Sequence, residues 1–364
     1  MALRRLVGAD DPTELDAFHA HGREYSAEAS RFSCADDANL EWTRSALSSM
    51  LSDRSGEPPT DASPQGSLAM ETLLLPDLPP RAADSHKGSH GRVLVVAGSG
   101  RYPGAAILAA LGAGRGGAGL VHLAVPEGVA PIVVPAVPFA ILEPGAAEPG
   151  GGFDVGAAPR LIERARSMDA VVLGPGLGDA EATGGFVSAL IAGVEGPLVL
   201  DADGLNHLAR IGLTALARRP GPTILTPHPG EFARLDGGTT PLGADRQARA
   251  AGLARTHGVV VVLKGQGTVV TDGQALRVEE AGNAGMATGG VGDVLSGLLG
   301  TLAAQLGDTL GAAALAVHIH ALAGDLAAAE LGQRAVLPVD VADRLGLAFR
   351  RFREAPTGGG RAPP

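Results

Sequence analysis

Cysteine is nearly absent from this chain. Cys34 stands alone, so no intramolecular disulfide can form and no cysteine-built zinc site is available. Aromatic residues are scarce at 3%, which leaves few rings for base stacking and argues against single-stranded nucleic-acid binding. Positive charge is in deficit. Against 39 Asp+Glu stand 29 Lys+Arg, and the net −10 disfavours non-specific association with nucleic acid or an anionic membrane. Anionic small molecules stay within reach, because local backbone N–H groups bind them whatever the global charge. No apolar run is expected to approach the ~20 residues of a membrane span. The N-terminus brings charge back before a secretory core can form. A cytoplasmic setting fits these features.

Familiar nucleotide signatures are missing as well. There is no G-x-x-x-x-G-K-S/T run, hence no Walker P-loop. Gly98-Ser-Gly-Arg-Tyr-Pro-Gly104 is one residue too long for the dinucleotide fingerprint, and Gly174-Pro-Gly-Leu-Gly178 is too short. Each also reads as a tight strand-to-helix turn. A classical NAD dehydrogenase is weakened accordingly.

What the chain has in excess is glycine: 54 of 364 residues, about twice the usual ~7%. The glycines cluster between apolar segments and show no Gly-X-Y period. From Gly91 to about Arg351, β-branched runs of strand length alternate with Ala/Leu-rich stretches of helical length. Strands are predicted at 93–97, 120–125, 170–173, 198–201, 223–226, 259–264 and 268–271. Helices are predicted at 105–115, 159–167, 186–193, 246–257, 293–306 and 312–331. Continuous apolar strands separated by helices imply an α/β fold, a mainly parallel central sheet with helices on both faces. Residues 1–85 differ. The first seventy hold 12 Asp+Glu, 6 Arg and no Lys, which is −6 of the −10, and a Pro/Ser/Asp/Gly-rich stretch follows a short helix candidate at 38–51. Residues 1–85 are expected to form a poorly structured extension, 86–352 the folded domain and 353–364 a disordered tail.

In open α/β sheets ligands sit outside the carboxyl ends of the strands. The densest segment there is Gly282-Asn-Ala-Gly-Met-Ala-Thr-Gly-Gly-Val-Gly-Asp293-Val-Leu-Ser-Gly297, with six glycines in sixteen positions ahead of an apolar helix. Gly289, Gly290 and Gly292 can turn backbone N–H groups inward, and the helix start adds partial positive charge, which makes an anion hole for phosphate. Asp293 at the helix start is either an N-cap, contributing about 1 kcal/mol, or a base that takes a proton from a hydroxyl attacking the phosphate. The glycine density favours the base. Lys264-Gly-Gln-Gly-Thr268 joins two strands. Its lysine either snorkels or lies near phosphates, with Gln266 and Thr268 offering hydrogen bonds. In Thr226-Pro-His228-Pro-Gly-Glu231 the prolines exclude a helix through that point and hold His228 in a rigid loop. Asp201 and Asp203, ending another strand, either hold Mg²⁺ through water or cap the next helix. His318 and His320 point apart on one helix and read as core or interface residues.

Taken together with Lys87-Gly-Ser-His-Gly-Arg-Val-Leu-Val-Val-Ala-Gly98, these motifs occur in the order and spacing of the ADP-dependent NAD(P)H-hydrate dehydratases, and the chain resembles that ribokinase-like family over about residues 86–350. One departure is Val291, where the family carries a small hydroxyl residue. The resemblance implies repair of hydrated NADH and NADPH, with ADP as co-substrate, AMP and phosphate as products, and Mg²⁺ carried largely by phosphate oxygens and water. Position by position, it implies Asp293 as the catalytic base and Lys264, Gly265, Gln266, Gly267, Thr268 and Gly292 around the AMP portion. It places Ala105, Gly176, His228 and Asp293 around the hydrate, with no protein-built metal site and a homo-oligomer, a tetramer among the options. The leading 85 residues are too short for the epimerase domain found in many relatives, so no epimerase activity is expected. Two rivals share the motifs: an ATP-dependent small-molecule kinase of the same superfamily, and a nucleotide-binding regulatory module without turnover.

Overall fold

The computed structural model describes residues 70–238 and 243–354. The short helix candidate at 38–51, most of the expected N-terminal extension and residues 355–364 of the expected tail lie outside these residues.

Ten strands form one sheet. They are β1 (Glu71–Thr72), β2 (Arg92–Val96), β3 (Leu120–Pro126), β4 (Ile141–Gly145), β5 (Ala170–Leu173), β6 (Leu198–Leu200), β7 (Thr223–Leu225), β8 (Val260–Leu263), β9 (Thr268–Thr271) and β10 (Ala275–Glu279). Their order across the sheet is β1-β10-β9-β8-β7-β6-β5-β2-β3-β4. Every neighbouring pair from β8 to β4 is parallel, and β9 alone runs against its neighbours β8 and β10. The helices are α1 (Pro103–Arg115), α2 (Ala130–Val133), α3 (Ala158–Ala165), α4 (Glu181–Gly193), α5 (Asp203–Ile211), α6 (Pro229–Asp236), α7 (Arg246–His257), α8 (Val291–Leu306), α9 (Thr309–Leu331) and α10 (Pro338–Glu354).

The strands are apolar on both faces because both faces are covered. Val93, Val95, Val172 and Val199 point to the side packed by α1, α8, α9 and α10. Leu94, Val96, Val171, Leu173 and Leu198 point to the side packed by α3 to α7. Burying each such side chain contributes about 1.5–3 kcal/mol. The mainly parallel sheet between two helical layers is the architecture expected from the sequence.

Three expectations need correction. The domain starts before residue 86: Glu71–Thr72 pairs in parallel with β10, and Leu73, Leu75 and Leu78 pack on the core. A two-residue strand carries no periodicity, so composition alone could not place it. At the other end Arg353 and Glu354 still belong to α10. One apolar run does reach membrane-span length. An 18-residue stretch of the 23-residue α9 averages a hydropathy of 1.4, but 67% of that stretch is buried inside the fold, which makes it a central core helix coated by α8, α10 and the sheet.

Chain order reverses at β2, whose neighbours are β3 and β5. Such a switch point opens a crevice at the carboxyl ends of the two strands. The helix that closes this region, α8, is fixed by close backbone packing on α1. A Cβ on Gly297 would stand 1.9 Å from the Ala109 carbonyl oxygen, and one on Gly112 would stand 2.1 Å from that of Val294. Gly297 therefore serves helix packing, while the glycines ahead of it face the crevice or shape the turn.

Candidate active site

The residues singled out in the sequence converge on the carboxyl ends of β2 and of β5 to β8 and on the start of α8. Gly290 adopts φ +98° and precedes the first turn of α8 without any side-chain cap. Among the described residues, the N–H groups of Gly289, Gly290 and Gly292 have no protein partner, whereas those of Val291, Asp293 and Val294 bond to Thr288 and Gly290 carbonyls. Three donors thus stand open at a helix N-terminus, the arrangement that binds phosphate. The turn is held from behind. His320 Nε2 donates to the Val291 carbonyl at 3.0 Å, and burial pushes its pKa down to about 4, so the ring is neutral. Val291 itself is buried in the core. From α9, Asp325 accepts from the Gly282 N–H at 3.0 Å and from Asn283 Nδ2 at 2.9 Å.

Asp293 lies half-buried in the first turn of α8 and has no hydrogen-bond donor among the described residues. It is not the N-cap. Burial, followed by the neighbouring charge of Asp201, raises its pKa to about 7, with Lys264 acting in the opposite direction. A carboxyl at that value can exchange a proton near neutral pH.

Beside it is a buried polar anchor that sequence reasoning missed. Asp201, at the end of β6, is fully enclosed. Its Oδ1 accepts from Thr226 Oγ1 at 2.7 Å and from Lys264 Nζ at 2.6 Å, and its Oδ2 from Ser296 Oγ at 2.6 Å. Burial alone would push this carboxyl up, but the Lys264 ammonium and the three hydrogen bonds hold it below its ordinary value. Asp201 therefore neither caps a helix nor offers oxygens to a metal. Asp203 accepts from the Gly178 N–H at 2.8 Å and from Asn206 Nδ2 at 3.2 Å. Between them Ala202 takes φ +48°, the one non-glycine residue with positive φ among the described residues. That strained turn sends Asp201 inward and Asp203 toward the crevice.

Lys264 follows β8 directly, and its ammonium lies 3.4 Å from where a Gly292 Cβ would be. Burial would lower its pKa, but Asp201 and Glu231 raise it above the ordinary value, so it is a fixed cation. The loop beyond it is braced by Arg246, another residue the sequence did not reveal. Its guanidinium donates to the carbonyls of Gln266 at 2.8 Å and of Leu263 and Lys264 at 3.0 Å each. Gly265 and Gln266 are exposed on this loop. Thr268, expected as a free donor, gives its hydroxyl proton to the Gly265 carbonyl at 2.9 Å. Gly267 turns the loop with φ +63°.

His228 differs from expectation. The prolines do not exclude a helix there: Pro229 opens α6, the position where its missing N–H costs nothing, and His228 caps it. Its Nδ1 accepts from the N–H groups of Gly230 and Glu231 at 3.0 and 3.3 Å. Glu231 returns the favour, accepting from the His228 N–H at 2.8 Å. Burial raises the Glu231 carboxyl, which lies 4.0 Å from Lys264 Nζ. Ala105 and Gly176 adjoin each other: a Cβ on Gly176 would stand 2.6 Å from that of Ala105. No group of three or more His, Cys, Asp or Glu side chains that could hold a metal occurs among the described residues. A Mg²⁺ ion carried by nucleotide phosphates and water needs no such group.

Comparison with known proteins places this geometry in context. A profile described as NAD(P)H-hydrate dehydratase matches residues 93–346. The chain is 43% identical over 280 residues to the bifunctional NAD(P)H-hydrate repair enzyme of Moorella thermoacetica, covering 76% of this chain and 52% of that protein. The corresponding figures for the Escherichia coli protein of the same name are 38% over 267 residues, 72% and 48%. The chain thus spans about half the length of the curated relatives it matches. Among solved structures, the ADP/ATP-dependent NAD(P)H-hydrate dehydratase of Bacillus subtilis, co-crystallised with ATP/Mg²⁺, superposes with a TM-score of 0.65 at 32% identity, covering 76% of this chain and 94% of that one.

Proposed function

The chain belongs to the NAD(P)H-hydrate dehydratase family, and we propose that it restores NADH and NADPH from the S epimers of their 6-hydrated forms at the expense of ADP. The observation that carries the reading is Asp293: a carboxyl with a pKa of about 7 and no donor among the described residues, one residue beyond three open N–H groups and close to the Lys264 ammonium.

Hydroxide is a poor leaving group, its conjugate acid having a pKa of ~15.7. Phosphoryl transfer converts it into phosphate, whose second pKa is about 6. The Asp293 carboxylate takes the proton of the C6 hydroxyl. The C6 oxygen then attacks the β-phosphorus of ADP, and the bond from that phosphorus to the bridging oxygen breaks, so AMP leaves with the electron pair. The N–H groups of Gly289, Gly290 and Gly292 together with Lys264 stabilise the equatorial charge that develops. The ring nitrogen lone pair next expels phosphate from C6, and loss of a C5 proton restores the dihydronicotinamide. Lys264 to Thr268 and Gly292 hold the AMP portion, while Ala105, Gly176 and His228 border the hydrate. When bound, Mg²⁺ would shield the charge of the diphosphate. A cytoplasmic location and self-association belong to the same reading.

The test is to incubate the full chain with hydrated NADH and, separately, ADP or ATP. Return of the reduced-nicotinamide absorbance, with AMP and phosphate in equal amounts from ADP, supports the reading. A stable phosphorylated product with no return of absorbance would make the protein a kinase of this fold. Nucleotide binding without any chemistry would make it a regulatory module.

A further inference from the structure

A cleft of about 590 Å³ opens beside the hydrate-side residues, lined among others by Arg101, Arg210 and Arg234. None of these three guanidiniums has a carboxylate partner among the described residues, although Arg92, Arg115, Arg160, Arg277 and Arg344 all do. Asp179 and Asp203 line the cleft too. Both oxygens of Asp203 are engaged, by the Gly178 N–H and by Asn206. Three cations against two carboxylates leave a positive balance in a chain whose formal charge is −10.

Two of the arginines are held in place by neutral acceptors and the third by an aromatic ring. Asn206 gives an amide hydrogen to Asp203 and accepts from Arg234 Nε at 3.1 Å. That leaves both Nη groups of Arg234 without a hydrogen-bond partner among the described residues. Arg210 spends one N–H on the Asp179 carbonyl at 3.1 Å. Arg101 stacks over the Tyr102 ring at 5.3 Å. Forked donors held this way match phosphate oxygens.

Location selects the phosphate. Tyr102 and Gly178 line the cleft. Tyr102 also borders Gly176, where an added Cβ would stand 2.8 Å from its own Cβ. Nothing from the 264–268 loop or the 289–293 turn reaches this cleft, so it lies on the hydrate side of the site. One ribose beyond the nicotinamide ring comes the diphosphate bridge. We propose that Arg101, Arg210 and Arg234 bind the diphosphate of the dinucleotide substrate, which anchors NADHX and NADPHX alike. The proposal rests on the dehydratase reading given above.

Arg210→Gln, Arg101→Gln and the Arg210→Gln/Arg234→Gln pair test it in the full chain. Losing one charge-assisted contact should raise KM about tenfold for both hydrates, with kcat within about threefold and melting temperature unchanged. The hydrate of reduced nicotinamide mononucleotide, which lacks the diphosphate bridge, should lose much less. Calorimetric titration with NADH, NADPH and ADP gives a readout independent of turnover: affinity for both reduced dinucleotides falls and that for ADP does not. A loss confined to NADPHX and NADPH would assign the cleft to the 2′-phosphate and overturn the proposal. Weaker ADP binding would assign it to the co-substrate, and unchanged KM and affinity would leave the cleft without a ligand. If the parent protein turns over neither hydrate, the dehydratase reading fails, and the titrations still decide whether the arginines hold a dinucleotide.

Discussion

Lys264 Nζ stands 2.6 Å from Asp201 Oδ1 and 4.0 Å from Glu231 Oε2, so the cation nearest the glycine turn is fixed by one carboxylate at the end of β6 and another in the first turn of α6. Thr226 and Ser296 saturate the rest of the Asp201 carboxylate. The pair joins β6, β7, β8 and α8 at one point. It therefore sets both the position of the ammonium and the field felt by Asp293.

Breaking that pair should cost stability and shift a pKa. Asp201→Asn leaves a buried ammonium without its main counter-charge, a change of about 3–5 kcal/mol for buried pairs. Urea unfolding should show it as a lowered midpoint with an unchanged slope. The Asp201 charge also raises the Asp293 pKa, so the pH at which turnover rises should move downward. An unaltered midpoint would mean that Lys264 finds another partner at no cost.

Asp293→Asn should keep ADP binding and lower turnover by about 10²–10⁴-fold, the usual range for a lost general base. In the parent, kcat/KM should rise as pH passes about 7, where Asp293 loses its proton. Stability should run the other way. Between the ordinary value of 3.8 and about 7 the folded chain keeps a proton that the unfolded chain has lost, so stability falls as pH rises through that window. The asparagine variant lacks this slope and should be more stable than the parent by about 1–2 kcal/mol above pH ~8, a figure discounted for the half-exposed side chain. Parallel unfolding curves from about pH 5 to 8 check the sign.

Arg246→Lys tests the loop brace. A lysine cannot reach three carbonyls from one planar fork, so the 264–268 loop should loosen. ADP affinity should fall about tenfold, with little change in kcat at saturating ADP. Equal affinity in parent and variant would make Arg246 a brace of no consequence for the nucleotide.

Most of the strands were readable because strands covered on both faces become unbroken apolar runs, as in Val93–Val96 and Val260–Leu263, whereas the edge strand β4, with Glu143, Pro144 and Gly145 among its five residues, was not. The crevice turn was readable because Asp293 and its glycines are neighbours in sequence. The anchor was not. Asp201 is 63 residues from Lys264 and 95 from Ser296, and no spacing rule links residues so far apart. An acid and a lysine that each end an apolar strand were the one available signal. Arg246 gave none, since an arginine at a helix start looks like any solvated side chain. β10 was lost because Ala275–Glu279 places Arg277 and Glu279 in a buried strand. Arg277 pairs with Glu279, which also meets His318, a compensation visible only in three dimensions. The divergence expected of His318 and His320 does hold: one faces Glu279, the other the Val291 carbonyl.

Gly292 separates phosphate binding from helix packing. Its backbone is helical rather than left-handed, so a side chain brings no backbone strain, and an added Cβ meets nothing nearer than Lys264 Nζ at 3.4 Å. Alanine should even favour the helix by up to ~1 kcal/mol. Yet that Cβ would occupy the space between the ammonium and the open N–H groups, where the transferred phosphate must come. Gly292→Ala should therefore melt no lower than the parent while binding ADP about tenfold more weakly, the effect of one impaired charge-assisted contact. Gly292→Val, with two more methyl groups in that gap, should lose more still. Affinity for the hydrated dinucleotide, bordered by Ala105, Gly176 and His228, should change much less in both. Calorimetric titration of each ligand beside a melting curve makes the comparison. A stable Gly292→Val protein that binds ADP as tightly as the parent would remove this turn from the phosphate site.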